Sequence, residues 1–100
     1  MSAGPKALSP KALALRITGR VQGVGYRAWL AGEAEAAGVD GWVRNRRDGS
    51  VEALLSGPAD IVDRVAAACR RGPNIALVDR VQITEAAAPD HRGFAQWPTL

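Results

Sequence analysis

The segment at residues 19–27, GRVQGVGYR, places three glycines within seven residues. A run with strand-like alternation, residues 12–18, leads into it, and a helix-like run, residues 28–37, follows it. Glycine adopts positive φ without a steric penalty, so this segment can curl its backbone N–H groups inward. A helix start adds unpaired N–H groups and a partial positive charge. The segment therefore predicts a strand–loop–helix unit with a small anion cradle, where Arg27 can donate two hydrogen bonds to one oxyanion.

Two plainer interpretations remain open on shape alone. The glycine segment can be an ordinary turn followed by a surface arginine. Asn45 lies near the end of a strand-like run and before a turn, a position where asparagine commonly serves turn geometry. The local pattern does not decide between these interpretations and a binding site.

Length and composition predict a small globular domain. A chain of 100 residues suggests one domain, which can bury roughly 65% of its unfolded surface. The net charge of +3 mildly favours an anionic partner but is no nucleic-acid signature. Cys69 is the only cysteine, so an intramolecular disulfide and a cysteine metal cluster are excluded. No apolar run approaches 18 residues and residues 1–10 lack a signal-peptide core, so a cytoplasmic protein without a membrane partner is expected.

Hydrophobic periodicity predicts the order β-α-β-β-α-β with a short fifth strand. Asp48-Gly49, between two strand-like runs, is a strong hairpin signal, and Gly57-Pro58 is expected to end the third strand. Gly38 fits the left-handed stop after the first helix. The predicted strands are 12–18, 39–46, 50–56, 76–85 and 93–97, and the predicted helices are 26–37 and 59–71.

This order of elements predicts an α+β fold of the ferredoxin-like type, a split β-α-β sandwich. In that fold two helices cover one face of an antiparallel sheet. Residues 12–100 are expected to form the domain. Residues 1–11, with two prolines, a glycine and two lysines, are expected to be a disordered tail.

Two motifs resemble the signatures of the acylphosphatase family. VQGVGYR at residues 21–27 closely resembles the first signature, and GWVRN at residues 41–45, followed by Gly49, Val51 and Gly57, resembles the second. Gly72-Pro73 and VDRV at residues 78–81 are similar to a later segment of that family. The resemblance covers roughly residues 13–94. It implies the fold predicted above and hydrolysis of the carboxyl–phosphate bond of acyl phosphates, without a metal or other cofactor.

The resemblance also implies roles for individual residues. The phosphate-binding arginine of the family falls on Arg27, and the water-orienting asparagine falls on Asn45. The expected partners are a small acyl phosphate and inorganic phosphate, bound by a monomer. The implied phosphate-binding loop comprises Gln22, Gly23, Val24, Gly25, Tyr26 and Arg27.

Other site chemistries have weak signals in this chain. There is no His/Cys cluster for a metal and no GK[ST] phosphate loop. The single histidine, His91, lies in a late polar loop and is expected to be solvated. GVGYRA at residues 23–28 matches a dinucleotide fingerprint, but the Asp48-Gly49 hairpin requires an antiparallel neighbour and the chain is too short for two nucleotide-binding halves.

Two binding functions are alternatives to an enzyme. The RNA recognition motif shares this order of elements but needs aromatic residues on its central strands. The first and third predicted strands have none, so no nucleic-acid partner is expected. A non-catalytic acylphosphatase-like regulatory or binding domain is the other alternative, and the presence of both Arg27 and Asn45 argues against it.

Overall fold

The computed structural model describes residues 9–100. Most of the tail predicted for residues 1–11, namely residues 1–8, therefore lies outside the described residues. The first strand, β1, begins at Pro10 rather than at the predicted residue 12. The elements in chain order are β1 (Pro10–Arg20), α1 (Tyr26–Ala37), β2 (Asp40–Asn45), β3 (Val51–Pro58), α2 (Ala59–Ala68), β4 (Leu77–Glu85) and β5 (Phe94–Gln96).

The five strands form one sheet in the order β4-β1-β3-β2-β5, with both helices packed on one face. The two β-α-β halves interleave, so that β1 and β3 lie side by side in the centre and pair antiparallel. This confirms the predicted ferredoxin-like fold. No helix within the described range is long and apolar enough to cross a bilayer.

The prediction of an antiparallel sheet is wrong at one edge, because β5 pairs parallel to β2. The reason is the connection from β4, which lies at the opposite edge. Residues 86–93 can span roughly 26 Å when extended, enough to cross the roughly 19 Å of four strand spacings. The connection crosses the sheet at the end where β4 finishes, and β5 starts from that same end. The strand β5 therefore runs opposite to β4. Because β4 is itself antiparallel to β2, β5 runs in the same direction as β2.

Alternating apolar residues place the core between the sheet and the helices. Leu13, Leu15 and Ile17 of β1 are buried on the face that the helices cover, as their spacing predicts. On α1, Tyr26, Leu30 and other apolar residues at helical spacing meet this face. Gly38 ends α1 with a φ of 75°, the left-handed stop that the sequence predicts.

The boundaries differ from the predictions at the α2 segment. β3 extends two residues beyond its predicted end at residue 56, because Gly57 and Pro58 pair with Lys11 and Pro10 at the start of β1, and the strand ends at Pro58. Proline is tolerated there because β2 begins at Asp40, opposite Ser56, so no β2 residue lies opposite Pro58 to need its missing N–H. The helix α2 ends at Ala68, before its predicted end at residue 71. Arg70 therefore lies beyond the helix, in a turn.

Candidate active site

The loop between β1 and α1 depends on two glycines for its backbone conformation. Gly23 and Gly25 have φ of 74° and 78°, in the left-handed region that favours glycine. A Cβ atom added at either position would meet nothing within 4 Å. These glycines are therefore required for the path of the backbone, while the space beside them stays open.

The start of α1 leaves its first N–H groups without intrahelical partners. The first intrahelical bond runs from the Trp29 N–H to the Gly25 carbonyl at 3.0 Å, so Tyr26, Arg27 and Ala28 have no carbonyl one turn earlier. Gly25 supplies no side-chain cap, and the first turn carries no acidic residue. These N–H groups and the helix dipole favour an anion at this end of α1.

The loop, the start of α1 and the end of β2 line a cavity of about 170 Å³. It brings Arg27 and Asn45 together although they lie on different elements. Of the predicted site residues, 22–27 and 45, only Val24 does not line the cavity. Its side chain packs against the core instead. The lining residues are Val21, Gln22, Gly23, Gly25, Tyr26, Arg27, Ala28, Asn45 and Gln96.

Arg27 is the cavity residue that carries a positive charge. Its side chain is half-buried, and within the described residues its guanidinium has no hydrogen bond or ion pair. Two other arginines near the end of β2 differ: Arg44 and Arg46 both donate to the Glu52 carboxylate, at 2.9 and 3.2 Å. Arg27 therefore remains available to an anion in the cavity, whereas Arg44 and Arg46 share the Glu52 carboxylate.

Asn45 is the last residue of β2 and is held there by its backbone. It pairs with Val51 of β3, and its carbonyl accepts a hydrogen bond from the Leu100 N–H at 3.0 Å. Its side-chain Oδ1 is buried and, in the part of the chain that the structure describes, has no hydrogen-bond partner. A buried acceptor without a partner is energetically unfavourable, so this amide can take a donor such as a water molecule.

Tyr26 and Cys69 are excluded as acid–base groups for this cavity. The Tyr26 side chain is buried, and its hydroxyl donates to the Cys69 carbonyl at 2.7 Å. Burial and the neighbouring Cys69 raise the pKa of the Tyr26 phenol. Burial also raises the pKa of the Cys69 thiol to about 11, so it stays protonated at neutral pH. Cys69 is thus a buried, unreactive residue that packs like a small apolar side chain.

Three residues that line the cavity were not among the predicted site residues: Val21, Ala28 and Gln96. The contribution of Ala28 could have been predicted from the sequence, since the third residue of any helix has an unpaired N–H. Gln96 gave no sequence signal, because only the parallel pairing of β5 brings it beside β2. Gln22 was predicted as a phosphate-loop residue, but its side-chain amide binds the β2–β3 hairpin, which leaves only its backbone N–H for an anion.

The fold and this cavity define a ferredoxin-like α+β domain with a glycine-lined anion cradle at a helix start. The acylphosphatase family profile matches residues 13–96. An acylphosphatase of Rhodospirillum rubrum is 52% identical over 90 residues, which covers 90% of this chain and 99% of the relative. The chain belongs to the acylphosphatase family.

Solved structures agree with this assignment. An acylphosphatase from Coxiella burnetii superposes with a TM-score of 0.84 at 28% identity, covering 88% of this chain and 93% of that one. The acylphosphatase from Bacillus subtilis superposes with a TM-score of 0.82 at 33% identity, covering 86% and 97%. The similarity therefore extends over nearly the whole length of both relatives.

Proposed function

We propose that this chain is an acylphosphatase, which hydrolyses the carboxyl–phosphate bond of acyl phosphates to a carboxylate and inorganic phosphate. The observation that carries the proposal is the cavity shared by Arg27, the first N–H groups of α1 and Asn45. Its volume of about 170 Å³ is several times the roughly 30 Å³ of a water molecule. It can hold a phosphoryl group and one water, with the acyl group directed to solvent.

The leaving group makes the reaction accessible to so small a site. A carboxylate leaving group has a pKa of about 4, by comparison with Asp and Glu side chains, so it departs without a general acid. Phosphoryl transfer passes through a loose transition state in most analyses, and catalysis is then mainly positioning and charge stabilisation. Oriented donors and one fixed water are the components that such a reaction needs.

In this mechanism each residue has one task. The Arg27 guanidinium and the N–H groups of the loop and helix start bind the phosphoryl oxygens. Asn45 accepts a hydrogen bond from the attacking water through Oδ1 and directs the water oxygen at phosphorus. The P–O bond to the acyl group breaks, its electron pair leaves with the carboxylate, and the proton of the water passes to the substrate.

The substrate range tests the absence of a general acid. Alkyl phosphates have alkoxide leaving groups, which need a proton, and a general acid contributes roughly 10²- to 10⁴-fold in rate. We therefore expect kcat/KM for an alkyl phosphate to be at least about 10²-fold below that for a simple acyl phosphate such as benzoyl phosphate, measured by phosphate release. Comparable kcat/KM values for the two substrates would contradict the proposal.

The reaction is also expected to proceed without a metal ion. Arg27 supplies the positive charge at the phosphoryl group, and the leaving group needs no Lewis acid. Turnover of benzoyl phosphate should therefore be unchanged in excess EDTA and gain little from added magnesium. Loss of most activity with EDTA, restored by a divalent cation, would show that a metal performs the task proposed for Arg27.

The proposal extends to the state of the protein in the cell. We propose a monomer, because the described cavity is complete within one chain. We propose a cytoplasmic location, and we propose no cofactor because the chemistry above needs none. The domain belongs to the same proposal, with its start at Pro10, where β1 begins, instead of at residue 12.

A further inference from the structure

Gln22 connects the two halves of the candidate site. It lies in the glycine loop, directly after the buried Val21. Its side-chain Nε2 donates to the Arg46 carbonyl at 2.7 Å and to the Ser50 carbonyl at 2.8 Å, residues 24 and 28 positions away. Both acceptors are carbonyl oxygens, which can only accept, so the amide nitrogen must face the hairpin.

The two carbonyls that Gln22 binds are those that close the β2–β3 hairpin. The Arg46 N–H donates to the Ser50 carbonyl at 2.8 Å, and the Gly49 N–H donates to the Arg46 carbonyl at 3.1 Å. The Asp48 carboxylate accepts from the Ser50 N–H and hydroxyl at 2.9 and 2.6 Å. The hairpin is therefore a compact unit, and Gln22 holds that unit at a set distance from the loop.

Asn45 depends on this connection because no hydrogen bond within the described part of the chain holds its Oδ1. Asn45 directly precedes Arg46, and its Oδ1 has no hydrogen-bond partner among residues 9–100. Its position relative to the loop is thus set through the backbone at the end of β2. A shift of that strand end by a fraction of an ångström would move a water bound at Asn45 without moving the glycine loop.

We propose that Gln22 is a positioning residue for hydrolysis: its amide bonds to the Arg46 and Ser50 carbonyls set the place of Asn45, and so of the attacking water, relative to the bound phosphoryl group. This inference rests on the proposed function. It assigns to the Gln22 side chain an effect on kcat through Asn45, distinct from the phosphate binding that its backbone serves.

Gln22→Met tests the inference, because methionine keeps the length of the side chain and removes both donors. Misplacement of a reacting group by about 1 Å can lower a rate roughly 10²-fold, so we expect kcat for benzoyl phosphate to fall by roughly 10- to 10²-fold. The Kd for inorganic phosphate, measured by calorimetry, should change by less than about threefold, because the loop and Arg27 are intact. Gln82→Met, at an exposed position of β4, is the matched control and should keep wild-type kcat.

A double-mutant cycle separates positioning from a general loss of structure. If Gln22 acts through Asn45, adding Gln22→Met to Asn45→Ala should lower kcat by less than about twofold further. Equal losses with and without Asn45, or a phosphate Kd that weakens in step with kcat, would overturn this inference alone. An Asn45→Ala variant with wild-type kcat would overturn the proposed mechanism as well. Should Gln22→Met fail to fold in a thermal melt, Gln22→Asn, which keeps an amide too short to bind both carbonyls, serves the same cycle.

Discussion

Arg27→Ala is expected to abolish measurable binding of inorganic phosphate. It should also lower kcat/KM for benzoyl phosphate by roughly 10³-fold or more, the rate effect of an arginine that stabilises a transferring phosphoryl group. The guanidinium meets charge that is already present on the substrate, so ground-state and transition-state binding should fall together. Calorimetric titration with phosphate, beside steady-state kinetics, measures both effects.

The controls for Arg27 separate its geometry from its charge. Arg64→Ala removes one positive charge from an exposed position of α2 and should leave kcat/KM almost unchanged. Arg27→Lys keeps the charge but loses the two-pronged donor, so it should fall between wild type and alanine. The Tm of Arg27→Ala should stay close to that of wild type, because the guanidinium has no protein partner within the described residues. An Arg27→Ala protein that binds phosphate normally would remove the role proposed for this residue.

Asn45→Ala should lower kcat by roughly 10²- to 10³-fold, the scale of one catalytic hydrogen-bonding group. It should bind inorganic phosphate almost as well as wild type, since Asn45 acts on the water and not on the phosphoryl group. An interaction made mainly in the transition state lowers kcat and kcat/KM together and spares binding. Steady-state kinetics and phosphate calorimetry on the same preparation test this split.

The stability of Asn45→Ala gives an independent check. The Asn45 Oδ1 has no hydrogen-bond partner among residues 9–100, so the alanine variant breaks no protein hydrogen bond at this atom. The Tm should therefore be equal to that of wild type or higher, which is typical of a residue retained for activity at the expense of stability. Asn74→Ala, at an exposed turn, is the control and should keep wild-type kcat. Wild-type kcat in Asn45→Ala would contradict the proposed role.

Local chemistry accounts for what could be predicted. Alternation of apolar residues placed Leu13, Leu15 and Ile17 in the core, and the structure confirms their burial. The Asp48-Gly49 pair predicted the hairpin, in which Gly49 has a φ of 95°. The glycine loop and the helix start at residue 26 likewise follow from conformations that a few neighbouring residues prefer on their own.

Other features depend on contacts between distant parts of the chain. The parallel direction of β5 depends on which edge of the sheet β4 occupies, and the short alternation at residues 93–97 carries no information on direction. Gln96 reaches the cavity only through that pairing. The Gln22 amide finds its acceptors 24 and 28 residues away, so no window of neighbouring residues predicts that bond.

In the candidate site, too, local preferences specify some features and the tertiary structure decides others. Short-range preferences specify the parts: a loop that needs positive φ at Gly23 and Gly25, a helix start with unpaired N–H groups, and an arginine in its first turn. Only the folded sheet decides that Asn45 meets that loop, and that its Oδ1 is buried there without a hydrogen-bond partner among residues 9–100. The physical reason is that backbone preference acts over a few residues, whereas the position of one strand end against a loop is set by strand order, by core packing and by long-range hydrogen bonds such as those of Gln22.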